Sequence, residues 1–288
     1  MKKKLGKLLE IIFVIFIIAV TCKMTGIFAA VNGEFGEVSA EVKDYSEYSN
    51  VVKQAVNNYE DSITVKVKDF DQNKYYGDSM KKILEDNIKE TLNDAIKEYK
   101  ITKYGIFNTI LKIDFKYSES TEELKRKEKL VNEKVQEIVK NTITSDMGEY
   151  EKEKALYSYL INNCEYDFDT YNSGVWDKNN DEYSALINKL SMCQGYAQAM
   201  NRLLKAVNIE SKIISGNVID DGIADDKSGH AWNIVKINGR YYHIDATWDS
   251  EYTDRYSESS YEFFNLTDKE IEYSRKWDRK SYPACNEL

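Results

Sequence analysis

The sequence predicts an α+β fold, and three observations lead there. Tyr196, Met200, Leu203, Leu204 and Val207 repeat with the period of a helix that opens near Ser191. An Asn238-Gly239 pair between two runs rich in β-branched and aromatic residues marks a hairpin. Between residues 50 and 118, segments of period two flank one of helical period, a β-α-β pattern.

Taken in order, the chain begins with Lys2, Lys3, Lys4 and Lys7, then an apolar run from Ile11 to Cys22 that stops at Lys23. Twelve apolar residues are short for a bilayer span and suit the hydrophobic stretch of a secretory signal. Residues 1–30 are therefore expected to be a signal peptide or a membrane anchor. Cleavage would follow Ala29 or Ala30; the alternative is an uncleaved anchor running past Lys23. Ala19-Val20-Thr21-Cys22 is only weakly similar to a lipoprotein site, since threonine is a poor residue before the cysteine.

Residues 31–118 are expected to form an amino-terminal α/β segment. A polar stretch over 32–50 precedes a strand carrying Ile63, Val65 and Val67. Ser79 then caps a helix with the stripe Met80, Leu84, Ile88, Leu92, Ala95, Ile96 and Tyr99. A second strand places Phe107, Leu111, Ile113, Phe115 and Tyr117 on one face and Asn108, Lys112, Asp114 and Lys116 on the other. No residue of this segment suggests chemistry.

Residues 119–288 are expected to form a second domain. Ser120 and Glu123 have capping-box spacing ahead of Leu124, Val131, Val135 and Ile138. Asp146 and Glu149 open a further helix carrying Leu156, Tyr159 and Leu160. The acidic stretch 165–182 reads as a loop. Asp177, Asn179 and Asp181 have calcium-loop spacing, but Glu182 stands where glycine should turn the chain and Asn188 where a bidentate glutamate should close the site. Asp220, Asp221, Asp225 and Asp226 read as a solvated loop before His230. With one histidine on each side of a turn and no paired cysteines, zinc has no ligand set. No metal or cofactor is expected.

The chemistry concentrates at three places. Ser191 and Gln194 have capping-box spacing, which puts Cys193 in the first turn of its helix. There the unpaired N–H groups and the positive end of the helix dipole favour a thiolate. Folding about Asn238-Gly239 sets Ile234 opposite His243, Trp232 opposite Asp245 and His230 opposite Thr247, so that His230, Trp232, His243, Asp245 and Thr247 share one face. His230 and Asp245 become diagonal neighbours, close enough for the carboxylate to orient the imidazole toward Cys193. Each residue alone has a plainer reading: Cys193 as a small buried hydrophobe, His230 as a hydrogen-bonded core histidine, Asp245 as a strand-end carboxylate. Together they read as nucleophile, base and orienting group. His243 is assigned a structural role, and Trp232 and Trp248 are pocket walls or core.

These same segments carry a family resemblance. Cys193-Gln194-Gly195-Tyr196-Ala197, His230-Ala231-Trp232-Asn233 and His243-Ile244-Asp245-Ala246-Thr247-Trp248 resemble the three motifs of the bacterial transglutaminase-like superfamily, in the family's order. Tyr166-Asp167, Ser184-Ala185-Leu186 and the stretch Phe263 to Asp268 are similar to its flanking segments, so the likeness covers roughly residues 120 to 288. It implies a papain-like transglutaminase core, with Cys193, His230 and Asp245 as the catalytic triad and a protein or peptide as substrate. The superfamily holds acyl transferases, peptidases and inactive members, so the reaction stays open. So do two rival readings, a non-catalytic cell-surface binding or assembly module and a cell-wall peptidase. Ala246 stands where the family usually has proline, and Trp176 and Gln194 are the candidates for the side-chain donor of the oxyanion hole.

Composition excludes one class of partner. The chain has 40 basic and 49 acidic side chains, a net charge of −9. Five lysines and one glutamate fall in the first 30 residues, so the remainder carries 35 against 48, or −13. Nucleic-acid binding, which draws on neutralised phosphates, is not expected of so acidic a surface. Of the four cysteines, Cys164 and Cys285 are left either to pair or to stay as buried thiols.

Overall fold

Residues 40–42 and 62–67 lie side by side as the parallel strands β1 (Ala40–Val42) and β2 (Ser62–Val67) of a mixed sheet. The computed structural model describes residues 37–88, 96–105, 109–174, 180–220, 223–250 and 261–286. The backbone divides into two units, one holding described residues 37–84 and 96–118, the other described residues 85–88 and those from 119 onward.

In the first unit, β1 leads into α1 (Tyr45–Asn57), and β2 into the short α2 (Gln72–Tyr75), α3 (Asp78–Ile88), β3 (Ile96–Tyr104) and β4 (Thr109–Tyr117). The sheet order is β1-β2-β4-β3, antiparallel beyond the first pair. Leu111, Ile113 and Phe115 are buried while Lys112, Asp114 and Lys116 are not, as the period of two requires.

Two expectations are corrected here. The polar stretch conceals α1: Asp44 caps it by accepting from the Glu47 amide at 2.9 Å, and Tyr48, Val52, Ala55 and Val56 are buried. The helix that starts near Ser79 is shorter than its stripe implied. Its described part runs to Ile88, and Ile96 and Tyr99 stand on β3, an edge strand whose lysines 97, 100 and 103 hide the strand period. Ser79 lies inside α3 and is not its cap. Leu92, Ala95, Phe107 and Asn108 lie outside the described residues.

The second unit begins with α4 (Thr121–Thr142), whose cap is Ser120, accepting from the Glu123 amide at 3.2 Å. Glu123 does not complete the box; its carboxylate holds Arg126 at 2.6 and 2.7 Å. Next comes α5 (Glu149–Ile161), preceded by Gly148 with no side-chain cap, because Asp146 instead accepts from the Thr144 hydroxyl at 2.6 Å. The stretch read as a loop from residue 165 starts with β5 (Glu165–Tyr166) and α6 (Phe168–Ser173). Asp177 and Asn179 lie outside the described residues. A π-turn over Ser184–Asn188 leads to β6 (Leu190–Ser191), α7 (Cys193–Ala206), β7 (Ser211–Asp220), β8 (Ile223–Ile237) and β9 (Arg240–Ile244). A helical turn over 246–250, α8, is followed by α9 (Asp268–Ile271) and β10 (Arg275–Trp277).

The second sheet runs β10-β7-β8-β9, antiparallel throughout, and α7 packs on β7 and β8. The aspartate-rich stretch expected as a loop is the closed end of the β7–β8 hairpin, where Ile219 pairs with Ala224 and Asp220 with Ile223. Beneath the sheet, Tyr196, Ala199, Met200, Leu203 and Leu204 of α7 meet Leu156, Leu160 and Ile161 of α5 and Val131, Val135 and Ile138 of α4. This core holds the amino end of α7 fixed against the sheet. Cys164, Cys193 and Cys285 are free thiols, and Cys22 lies outside the described residues. Among the described residues no helix is long and apolar enough to cross a membrane. Residues 1–30 lie outside that set.

Candidate active site

Cys193 is the first residue of α7, directly after Met192 at the cap position. The expected capping box does not form. Ser191 is paired with Tyr166 in the β5–β6 bridge, and its hydroxyl bonds that of Ser184 at 2.7 Å. Asn180 serves the helix end instead, its Oδ1 accepting from the Gln194 amide at 3.1 Å. The Gln194 backbone amide is thereby engaged by Asn180. The Cys193 amide stands at the helix position where no intrahelical acceptor exists. Trp176, the other oxyanion candidate, lies outside the described residues. Gly195 is required for space: a Cβ there would stand 2.6 Å from the Asp181 carbonyl oxygen.

The hairpin register holds from Ile237↔Arg240 to Asn233↔Ile244, with Ile234 opposite His243 as its turn predicts. It goes no further. Asp245 donates its amide to the Phe263 carbonyl at 2.9 Å and the chain turns into α8, so the pairs Trp232–Asp245 and His230–Thr247 do not form. The outer half of β8 pairs with β7 on its other side, His230 facing Gly216. A Cβ at Gly216 would stand 2.7 Å from the Trp232 ring, so glycine admits that indole.

The side chains nonetheless meet. His230 Nε2 lies 2.7 Å from Asp245 Oδ2, and both residues are buried. His230 also acts on the Cys193 thiol, each of the two shifting the titration of the other. Burial alone would push the Cys193 thiol up, but the hydrogen bond and charge of His230, with the Ala231 amide, outweigh it and hold the thiol below its usual range. Burial disfavours a charged His230, yet the Asp245 carboxylate raises it to about 9. Asp245 itself resists burial through His230 and Arg275 and stays at about 2.

Arg275, on β10, carries no sequence signal. It is buried, and its Nη2 and Nε donate to Asp245 Oδ2 at 2.6 and 3.2 Å. Its guanidinium lies 4.2 Å from the centre of the Trp248 ring and 4.9 Å from that of Phe263. Trp248 is thus a wall for this arginine. Thr247, expected on the His230 face, is buried in α8 instead.

The second histidine belongs to another chain of contacts. Trp232 donates Nε1–H to His243 Nδ1 at 3.0 Å, so His243 carries its proton on Nε2, 2.8 Å from Asp268 Oδ1. Burial holds His243 below the usual histidine range. Donor atoms of His243, Asp268 and Cys285 lie within 4.8 Å of one another, yet the set does not suit a metal. Nδ1 is taken as an acceptor and Nε2 is protonated, while burial, followed by the Asp268 charge, pushes the Cys285 thiol far up.

Residues 136–246 match the family model of the Transglutaminase-like superfamily core. Over 126 residues the chain is 23% identical to the kyphoscoliosis peptidases of Mus musculus and Homo sapiens, a stretch covering 41% of this chain and 18% of each relative's length. The chain therefore spans under a fifth of these relatives. A crystal structure of a TGase aligns with a TM-score of 0.36 at 13% identity, covering 72% of this chain and 58% of that one. The helix end that carries Cys193, the β8–β9 hairpin and the segment that joins them all fall within residues 136–246, the α+β stretch that matches the transglutaminase-like superfamily model.

Proposed function

We propose that the protein is an exported cysteine enzyme that attacks a carboxamide or peptide carbonyl of a protein or peptide substrate. The observation that carries this reading is the imidazole of His230, held by Asp245 at 2.7 Å and acting on the Cys193 thiol, which it helps to hold below its usual range. Sulfur attacks the carbonyl carbon as thiolate, its proton already resting on His230. His230 then delivers that proton to the departing amine or ammonia, and a thioester remains. An amine closes the cycle as a transferase, and water closes it as a hydrolase; in each case the incoming nucleophile gives a proton to His230 as the C–S bond breaks. The triad serves both outcomes equally, so what reaches the thioester decides the product. Export is supported by the basic head and apolar run of residues 1–30.

Incubating the full chain with a glutamine-containing peptide and a fluorescent primary amine, and separately with unlabelled peptides, tests the reading. Amine incorporation or peptide cleavage, abolished by Cys193→Ala, is the expected result. Absence of both, with iodoacetamide labelling of Cys193 at the pH of an ordinary thiol, would overturn it in favour of a binding or assembly module.

A further inference from the structure

Four charges meet in the buried space behind Cys193. In the thiolate–imidazolium form of the proposed site, Cys193 and Asp245 are negative and His230 and Arg275 positive, and the last two bond the same oxygen, Asp245 Oδ2. The set is neutral as a whole. Without Arg275, burial would have to sustain a net negative charge, which is unfavourable where water is excluded. The other titratable groups on the surrounding elements do not supply the missing charge. Tyr157 on α5 donates to Asp249 on α8 and is pushed up by burial, so it stays neutral. Glu153, on the same helix, is raised to about 8. His243 on β9 is pushed down, and Asp249 accepts from Tyr157 and from the Phe263 amide at 3.2 and 3.3 Å.

The arginine is also anchored in its own right. Its Nη1 donates to the Ser274 carbonyl at 2.9 Å, and the Trp248 and Phe263 rings enclose it. It comes from β10, the edge strand next to β7 and 29 residues beyond the segment that matches the family core. We propose that Arg275 is a positioning residue for this site: it fixes the Asp245 carboxylate and balances its charge, and so sets the pH range over which Cys193 and His230 coexist as thiolate and imidazolium. This rests on the reading of Cys193 and His230 given above. Removing the positive charge disfavours the thiolate and favours the imidazolium, so the titrations of both groups move upward together. A purely structural arginine would weaken the fold without moving both titrations in that direction.

The test is the rate of iodoacetamide labelling at Cys193, followed by peptide mass spectrometry across pH, with NMR titration of the imidazoles of the full chain. There are only two histidines to assign, and His243 serves as an internal control. Arg275→Gln, which keeps a hydrogen-bond donor and loses the charge, should raise the midpoints of Cys193 and His230 by about one pH unit, slowing labelling roughly tenfold on the acid side. His243 should stay in place. Arg275→Lys should return both midpoints to within about 0.3 unit of the parent. Unmoved midpoints in Arg275→Gln, or a displacement in Arg275→Lys as large as in Arg275→Gln, overturn the proposal. Should Arg275→Gln fail to fold, Arg275→Lys decides by itself: parent-like midpoints support the role of charge, and a displacement of about a unit refutes it. A parent chain whose Cys193 labels like an ordinary thiol, unaffected by His230→Ala, removes the thiolate–imidazolium reading itself, an outcome distinct from a failure of Arg275 alone.

Discussion

Replacing Asp245 by asparagine should destabilise the fold by an amount that depends on pH in a calculable way. Asp245 Oδ2 is shared by His230 and Arg275 in a buried space, and His230 stands at about 9 where an ordinary histidine titrates at 6.5. That difference corresponds to about 3 kcal/mol of preference for the charged ring. Because the folded value is raised, the contribution is complete below pH 6.5 and is lost as pH rises through about 9. Asp245, lowered to about 2, registers the same interaction from its other partner: stability present above the ordinary carboxylate value and lost as pH falls through about 2. The two are one energy and are not added. At pH 7, Asp245→Asn removes the pairing and strands a buried arginine, a loss of about 3–5 kcal/mol. Near pH 10 the parent's His230 is already neutral, so the loss should shrink by about 3 kcal/mol. Urea unfolding of parent and variant at both pH values measures this, since tyrosine and lysine titrations common to the two chains cancel in the comparison. Equal losses at pH 7 and pH 10, or an undiminished stability at pH 7, would refute the electrostatic account of the site.

Three further changes probe the neighbouring parts. His230→Ala should return the Cys193 thiol toward or above its ordinary value of 9.0, because burial is then unopposed, and iodoacetamide labelling near pH 6 should fall more than tenfold. Gly195→Ala places a methyl group 2.6 Å from the Asp181 carbonyl oxygen; a loss of about 1–3 kcal/mol by urea unfolding is expected, with slower labelling of Cys193 as the helix end shifts. Trp232→Phe deletes the donor to His243 Nδ1 and leaves a buried acceptor unpaired, which should lower stability by about 1–3 kcal/mol and visibly move the His243 imidazole resonances.

Much of this arrangement was legible before any coordinates. The helix beginning at Cys193, the turn at Asn238-Gly239 and the pairing of Ile234 with His243 all follow from local chemistry: period, turn residues and pleat. The Ser120 cap formed without the reciprocal Glu123 bond its spacing implied, while those assigned to Asp146 and Ser191 did not form, because each hydroxyl or carboxylate found a partner outside the helix it was to serve. Helix α1 was hidden among polar residues whose few apolar positions fall on one face. Strand β3 was hidden by its exposure, which removes the apolar alternation a strand is recognised by.

What the amino-acid order determined by itself was which groups are available and which local elements carry them: a cysteine at a helix mouth, a histidine on a strand and a carboxylate just past the next one. Tertiary structure decided how they meet. Asp245 reaches His230 from outside the ladder, through a chain reversal held by Phe263, and not across a strand pair. Asn180, Gly216 and Arg275 enter from distant positions because packing brings loop, strand and edge together around the same few ångströms. Spacing rules describe neighbours along the chain; a buried charge is balanced by whatever the fold places beside it.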